Sequence, residues 1–119
     1  MELRELQDKC HRVSAEAGWW DDWDESNNIS KYIIAAKLAL IHSEISEAME
    51  GYRKSSMDDH LTHRKNMEVE LADAVIRILD LAGAMDYDIE SAIHEKMAYN
   101  ANRPDHKLEN RAKKGGKKF

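Results

Sequence analysis

The run YIIAAKLALI, at positions 32–41, is the feature that most limits how this chain folds. On a helix, where successive residues turn by about 100°, its apolar side chains point in nearly every direction, so other helices must cover it. The run begins just after Ser30, a residue type that caps helices, and apolar residues continue at helical spacing to about Lys54. The sequence therefore predicts a central, largely buried helix over residues 30–54.

Three further segments, residues 3–17, 64–85 and 89–103, carry apolar residues at helical spacing. No long stretch alternates apolar and polar residues, which is the pattern typical of a half-buried strand. We expect an all-α fold, with a four-helix bundle-like domain over residues 1–106 and a basic, mobile tail over residues 107–119. The stripes predicted to face the core from the second and third helices are Ile34, Leu38, Ile41, Ile45, Met49 and Tyr52, and Met67, Leu71, Val75, Ile78, Leu79 and Ala82.

Composition indicates a folded protein without a membrane segment. The 119 residues are the size of one domain, and hydrophobic and charged fractions of 42% and 34% are typical of a soluble helical protein. The single Cys10 cannot form an internal disulfide, and no apolar run approaches the roughly 18 residues of a membrane span. The N-terminal segment resembles neither a secretory signal nor a transit peptide. We therefore expect a cytoplasmic protein.

The net charge of −5 is unevenly distributed along the chain. Residues 107–119 contain six basic side chains and one acidic one, so the rest of the chain is more acidic than the total suggests. A basic tail can contact nucleic acid, and it can also be no more than a solvated terminus. The acidic body argues against a dedicated nucleic-acid binder and leaves open divalent metals, or substrates that bring metals with them.

Two pairs of acidic residues interrupt the most apolar predicted helices. Glu44 and Glu47 are three residues apart in the second helix, as are Glu70 and Asp73 in the third. Side chains three residues apart lie on neighbouring turns of one helix face, so each pair can contact one ion. Antiparallel packing of the two helices would gather all four carboxylates, whose mutual repulsion requires protons or cations.

The ligand types in this predicted cluster favour a hard cation. Carboxylate oxygens suit Mg²⁺ first and Mn²⁺ second, whereas no Cys or His spacing in the chain indicates zinc. Magnesium in proteins is commonly held by a few carboxylates together with substrate phosphate oxygens. Acidic pairs at the same spacing also occur elsewhere, as at Glu2 and Glu5, so a solvated surface role stays open for these acids.

The residues around these acids resemble a known family. KLALIHSEISEAMEGYR followed by EVELADAVIRILDLAG is similar to the MazG-like all-α nucleoside triphosphate pyrophosphohydrolases, whose hallmark is ExxE, a spacer and ExxD. The similarity covers about residues 30–103, and EKMAYNANRP with the Gly/Lys tail resembles the small single-domain phage and integron members. The resemblance implies a MazG/dimeric-dUTPase-type helical fold that assembles as a homo-oligomer, either a dimer or a tetramer.

The same resemblance implies an activity, the Mg²⁺-dependent cleavage of a (d)NTP between its α- and β-phosphates to give the monophosphate and pyrophosphate, for sanitation or remodelling of the nucleotide pool. Glu44, Glu47, Glu70 and Asp73 would hold the metal, and Glu47 is the preferred acceptor of the water's proton. Cations near the triphosphate are also implied, although surface salt bridges would explain them equally well. The candidates for phosphate contacts are Lys37, Arg77, Lys96, Asn100 and Arg103.

The loop GWWDDWDESNN contains all three tryptophans of the chain, and a base can stack on an indole ring. His11 and Trp20 are spaced like a His and a Trp that line the base pocket in some members of the resembled family. The tryptophans can equally fill the gap between the first two helices. The candidates for base contacts are His11, Trp20, Trp23, Asn27 and Asn28, with a mild preference for a purine substrate such as dGTP.

Two other functions stay open at the level of sequence. A non-enzymatic helical protein could use its basic tail to bind nucleic acid or a protein partner, with its acids merely on the surface. The other possible function is that of a related phosphohydrolase acting on phosphoribosyl-ATP, although the loop with the three tryptophans suits a free nucleotide better. Mg²⁺ dependence and loss of function in Glu70→Gln would separate an enzyme from the binding protein.

Overall fold

The computed structural model describes residues 2–118, in which the regular elements are helices joined by loops, with no β-strand among the described residues. The helices are α1 (Leu3–Glu16), α2 (Ser30–Lys54), α3 (Asn66–Ala84), α4 (Ile89–Asn102) and α5 (Leu108–Arg111), with a 3₁₀ turn at Pro104–His106 between the last two. The predicted all-α fold is confirmed. Among the helices of the described residues, none has the length and apolarity to cross a membrane.

The chain divides into two compact units, one ending at Tyr87 and the other beginning at Asp88. The first unit contains α1, α2 and α3, and the second contains α4, the 3₁₀ turn and α5. The predicted domain over residues 1–106 and its tail therefore stay predictions.

Within the first unit, α3 packs against both α1 and α2. Gly51, late in α2, contacts Asn66 at the start of α3, whereas Glu44, earlier in α2, bonds to Arg77 near the middle of α3, so the two helices are antiparallel. Close packing is possible because small residues lie at the contact. The buried residues of this kind are Ala48 and Gly51 in α2 and Ala74 in α3.

The prediction that α2 is the central helix is wrong for the single chain, because α3 has that position. The side of α2 that is buried follows Glu44, Ala48 and Gly51, not the larger apolar stripe. Side chains predicted to face the core are instead exposed, because small residues bring α2 to α3 along its other side. The exposed members of the predicted stripes are Leu38, Ile45, Met49 and Tyr52 in α2, and Leu71, Val75 and Ile78 in α3.

The helix ends follow local chemistry that the sequence indicates only partly. Gly18 has a φ of 91° just beyond α1, a conformation that glycine adopts without steric cost. Asp88 caps α4, since its Oδ1 accepts a hydrogen bond from the backbone N–H of Ser91 at 3.1 Å. Ser30 was expected to cap α2, but it is the first helical residue, and its hydroxyl accepts the N–H of Asp24 at 3.1 Å. Ser30 therefore fastens the preceding loop to the helix.

The loop between α2 and α3 is organised by a buried carboxylate. Asp58 Oδ2 accepts the backbone N–H groups of His60 at 3.0 Å and Leu61 at 2.8 Å, and these bonds lower the pKa of Asp58. The N–H of Asn66 donates to the carbonyl of Ser56 at 3.0 Å, which fixes where α3 begins. The loop thus sets the register of α3 against α2, and with it the relative positions of their acids.

Candidate functional site

Three of the four predicted carboxylates converge between α2 and α3. One oxygen from each of Glu44, Glu47 and Glu70 lies within 4.8 Å of the others, and we call these residues the acidic cluster. Glu44 is only 8% exposed, Glu70 is half-buried and Glu47 is exposed. The cluster is therefore open to solvent on the side of Glu47 and closed on the side of Glu44.

Asp73, the fourth predicted acid, lies beside the cluster and is not one of the three that share this distance. Burial raises the pKa of Asp73, and the negative charge of Glu44 raises it further, while Arg77 opposes the change. Asp73 and Glu44 both line the pocket described below. The structure thus places all four predicted acids in one region, with Asp73 and Glu44 on the side of the pocket.

Repulsion between the like charges of the cluster contributes to a raised pKa at Glu70. The pKa of Glu70 rises to about 7, first because of burial, then because of its hydrogen bond with Glu44 and the charge of Glu47. Asn66 acts in the opposite direction, since its Nδ2 group lies 3.3 Å from Glu70 Oε1. Burial and the neighbouring acids therefore favour the protonated form of Glu70.

One cation within the chain offsets part of this charge. Arg77 Nε donates to Glu44 Oε1 at 2.9 Å, which neutralises the most buried acid and fixes its orientation. Arg77 was predicted to contact phosphate, and it lies at the junction between the acidic cluster and the pocket.

A pocket of about 460 Å³ lies next to the acids, between α1, α2 and α3. This volume is in the range of pockets that hold a small organic ligand, roughly 300–1,000 Å³. Apolar side chains make up much of its wall, with Lys37, Arg77 and Asp80 adding charge. The apolar contributors include Val13, Ala17, Leu40 and Ile76.

Lys37, another predicted phosphate contact, lies in this pocket. Its Nζ donates to the carbonyl of Trp19 at 3.0 Å and sits 4.5 Å from the ring centre of Trp20. These contacts hold the ammonium group between the tryptophan loop and α2. The residue shares a face of α2 with Glu44, two turns later, so the cation and the acid line one wall.

Two of the predicted base contacts, His11 and Trp20, meet at a residue that sequence reasoning missed. Trp20 Nε1 donates to Asp80 Oδ1 at 2.8 Å, and His11 Nδ1 lies 2.9 Å from the same oxygen. The two rings pack edge to face, with centres 5.5 Å apart. Trp20 is 7% exposed, whereas Trp19, which was not among the candidates, is 70% exposed and lines the pocket.

The remaining predicted base contacts lie elsewhere on the first unit. Trp23 packs edge to face on Trp20 at 6.0 Å, and Asn27 Oδ1 accepts the N–H of Ile29 at 2.9 Å in the turn before α2. Trp23, Asn27 and Asn28 line a separate depression and are not among the residues of the pocket beside the acids. In the described structure, therefore, His11 and Trp20 are joined to the pocket through Asp80. Trp23, Asn27 and Asn28 make no hydrogen bond to Asp80 there and lie in the separate depression.

The second unit contains the remaining candidates for phosphate contacts, Lys96, Asn100 and Arg103. Two of them lie in α4 and Arg103 directly follows it, at intervals of four and three residues. Lys96 Nζ lies 4.5 Å from the ring centre of Tyr99. Arg103 forms a two-pronged pair with Asp105, through Nε at 3.0 Å and Nη2 at 2.6 Å, which holds the pKa of Asp105 well below its usual range. Their predicted contact with a triphosphate stays a prediction.

Comparison of the chain with models of protein families, with curated proteins and with solved structures gives no significant match. A functional assignment therefore depends on the geometry of the acidic cluster and the adjoining pocket. The sequence resemblance described above stays an interpretation of the motif.

Proposed function

We propose that this chain is a Mg²⁺-dependent nucleoside triphosphate pyrophosphohydrolase, which adds water to a (d)NTP and releases the monophosphate and pyrophosphate. The observation that carries the proposal is the convergence of Glu44, Glu47 and Glu70 to within 4.8 Å, directly beside a pocket of ligand size. The ExxE and ExxD pairs that supply these acids are also the motif by which the sequence resembles the MazG-like enzymes.

The donor set of the cluster fits magnesium. All three groups are carboxylates, the hard oxygen ligands that Mg²⁺ prefers over nitrogen or sulfur. Oxygens on opposite sides of one Mg²⁺ ion lie about 4.2 Å apart, since each bond is about 2.1 Å. The limit of 4.8 Å between the carboxylate oxygens is therefore within a small side-chain adjustment of that geometry. Mn²⁺ is the expected substitute.

The residues of the site divide the work of hydrolysis. Bound Mg²⁺ supplies charge neutralisation of the phosphates and lowers the pKa of a water molecule. Glu44 and Glu70, the less exposed acids, would hold the ion, and Asn66 and Arg77 keep their carboxylates in place. Glu47 is the exposed acid, so it is the carboxylate best placed to accept a proton from attacking water.

The pocket suits the rest of the nucleotide. Its apolar wall between α1 and α3 can cover a base and sugar. Arg77 provides positive charge where the pocket meets the acids, and Lys37 adds a second cation beside Trp19 and Trp20. A triphosphate placed at the cluster would then have its nucleoside in the pocket. This arrangement explains why charged and apolar walls occur side by side.

We also propose that a second copy of the chain covers the exposed stripe of α2. Leu38, Ile45, Met49 and Tyr52 are between 48% and 70% exposed, although they recur on one helix face. An apolar stripe of this length is typical of an interface between identical subunits. The homo-oligomer expected from the sequence would therefore use the stripe that the single chain leaves uncovered.

The proposal is tested by pyrophosphate release from each of the eight standard NTPs and dNTPs with Mg²⁺. Glu70→Gln removes one acid of the cluster and should reduce release by at least about 100-fold, the usual order for loss of a metal-coordinating or charge-stabilising group. Glu68→Gln is the matched control, because Glu68 lies on the same helix, exposed and paired with Arg64. A chelator should abolish release by the unmodified protein.

Release that survives both Glu70→Gln and the chelator would contradict the proposal. If none of the eight nucleotides releases pyrophosphate, with metal present and the protein folded, the alternative of a helical binding protein is favoured.

A further inference from the structure

Asp80 is a buried carboxylate in the wall of the pocket, and the proposed hydrolysis does not use it. It lies on α3 and is 9% exposed. Both hydrogen bonds that it makes within the described residues end on Oδ1, one from Trp20 Nε1 at 2.8 Å and one with His11 Nδ1 at 2.9 Å. The Nδ1–H group of His11 can donate to this oxygen, as the Nε1–H group of Trp20 does.

The second oxygen of Asp80, Oδ2, differs from Oδ1 in its hydrogen bonding. Oδ1 already accepts two bonds, which uses the capacity of one carboxylate oxygen in the plane of the group. Among the side chains that the structure describes, no hydrogen-bond donor is paired with Oδ2, and Asp80 lines the pocket. The aromatic pair thus fixes the carboxylate through one oxygen and leaves the other without a partner among these side chains.

The spacing along α3 relates this acceptor to the acidic cluster. Asp73, Arg77 and Asp80 lie on one face, at intervals of four and three residues, and all three line the pocket. Asp80 is seven residues beyond Asp73, which is roughly 10 Å along a helix axis. That is comparable to the separation between the hydrogen-bonding edge of a nucleobase and the phosphates of the same nucleotide.

We propose that Asp80 is the base-selecting residue of this pocket, and that it favours bases with an exocyclic amino group, guanine above all, over thymine and uracil. This inference rests on the proposed function for the placement of the phosphates, but it concerns the opposite end of the pocket. Guanine offers two adjacent N–H donors, one on the ring and one on its amino group, to a single acceptor oxygen. Thymine and uracil offer one N–H donor between two carbonyl oxygens, which repel a carboxylate.

The preference is measurable without metal or turnover, because the only cysteine of the chain, Cys10, lines the same pocket. A bound base should shield its thiol from alkylation by N-ethylmaleimide, followed by mass spectrometry in EDTA. The ligands are dGMP, dIMP and dTMP, which carry the same phosphate and sugar, and dIMP differs from dGMP only in lacking the amino group. We expect dGMP to protect at about tenfold lower concentration than dTMP, with dIMP between them.

Asp80→Asn provides the sharper test. The indole N–H of Trp20 can only donate, so the amide oxygen of the new side chain must face it and the amide NH₂ group must face the pocket. A donor then replaces the acceptor, and the order of protection by dGMP and dTMP should invert. Asp8→Asn, an exposed change on α1, is the matched control and should leave the order unchanged.

Equal protection by the three nucleotides, no protection by any, or an unchanged order in Asp80→Asn would overturn the assignment of Asp80. Hydrolysis of triphosphates with Mg²⁺ is measured separately, so its failure is distinguishable. Protection in the expected order without hydrolysis would support base selection and contradict the proposed enzyme. Hydrolysis without base-dependent protection would support the proposed enzyme and contradict base selection by Asp80.

Discussion

The guanidinium Nε of Arg77 lies 2.9 Å from Oε1 of Glu44, and this bond joins α3 to α2 where the acidic cluster meets the pocket. Glu44 is the most buried acid of the cluster, so its charge is poorly compensated by water. The pair therefore has two roles, since it stabilises the packing of the helices and holds Glu44 toward Glu47 and Glu70.

Arg77→Met should destabilise the metal-free protein by about 1–2 kcal/mol, because it leaves the Glu44 carboxylate buried without its partner. The free energy of unfolding in urea, measured with EDTA, checks this value. The double variant Glu44→Gln/Arg77→Met should recover most of the loss, since neither charge is then unpaired. A single variant as stable as the unmodified protein would show that the bond contributes nothing.

The raised pKa of Glu70 predicts an unusual pH dependence of stability. Burial and the neighbouring acids raise this pKa from 4.5 to about 7 in the folded state, so the folded chain binds the proton more tightly than the unfolded chain. The stabilisation is complete below about pH 4.5 and is lost as the pH rises through about 7. We expect the free energy of unfolding in EDTA to fall by roughly 1–3 kcal/mol between these limits.

Two controls isolate this contribution of Glu70. Glu70→Gln should remove the decrease, because its amide does not titrate. Saturating Mg²⁺ should reverse the decrease at pH 7.5 in the unmodified protein, since the ion takes the place of the proton. A decrease of the same size in Glu70→Gln would assign the pH dependence to other groups.

The packing of α2 against α3 predicts a large effect at a single glycine. A Cβ on Gly51 would overlap the side chain of Asn66, which itself contacts Glu70. Gly51→Ala should therefore cost about 1–3 kcal/mol of stability, despite the higher helix propensity of alanine. Ser46→Ala, on an exposed position of the same helix, should change stability by less than about 0.5 kcal/mol. Thermal or urea unfolding of the two variants decides the matter.

Helix boundaries were more predictable from the sequence than burial was. α2 spans Ser30–Lys54 as expected, because its apolar run is long and polar loop residues flank it. The direction in which α2 faces was not predictable from hydrophobicity, because the small residues Ala48 and Gly51 decide the contact with α3. The larger stripe therefore looked like the core, although the single chain leaves it exposed.

The four paired acids of the site were predictable because each pair is visible as a local spacing in the sequence. Asp80 was not predictable in this way. Glu44 with Glu47, and Glu70 with Asp73, show their pairing within one helix turn. Asp80 is a lone acid in ILDLAG, and its partners Trp20 and His11 are 60 and 69 positions away along the chain. A charged residue within an otherwise apolar helix was the one signal that could have drawn attention to it.

The exposed stripe of α2 predicts the assembly state. Size-exclusion chromatography with light scattering should give at least twice the chain mass of 13.7 kDa. Ile45→Lys places a charge in the middle of the stripe and should shift the mass toward that of one chain. A monomer of 13.7 kDa for the unmodified protein at tens of micromolar would contradict the proposed interface.

The most direct test of the central claim is to identify the products formed from dGTP and Mg²⁺ by phosphorus NMR. We expect dGMP and pyrophosphate in equal amounts, with Glu68→Gln active and Glu70→Gln inactive. Formation of dGDP and phosphate, or equal activity of the two variants, would contradict the assignment of this chain as a pyrophosphohydrolase that uses the acidic cluster.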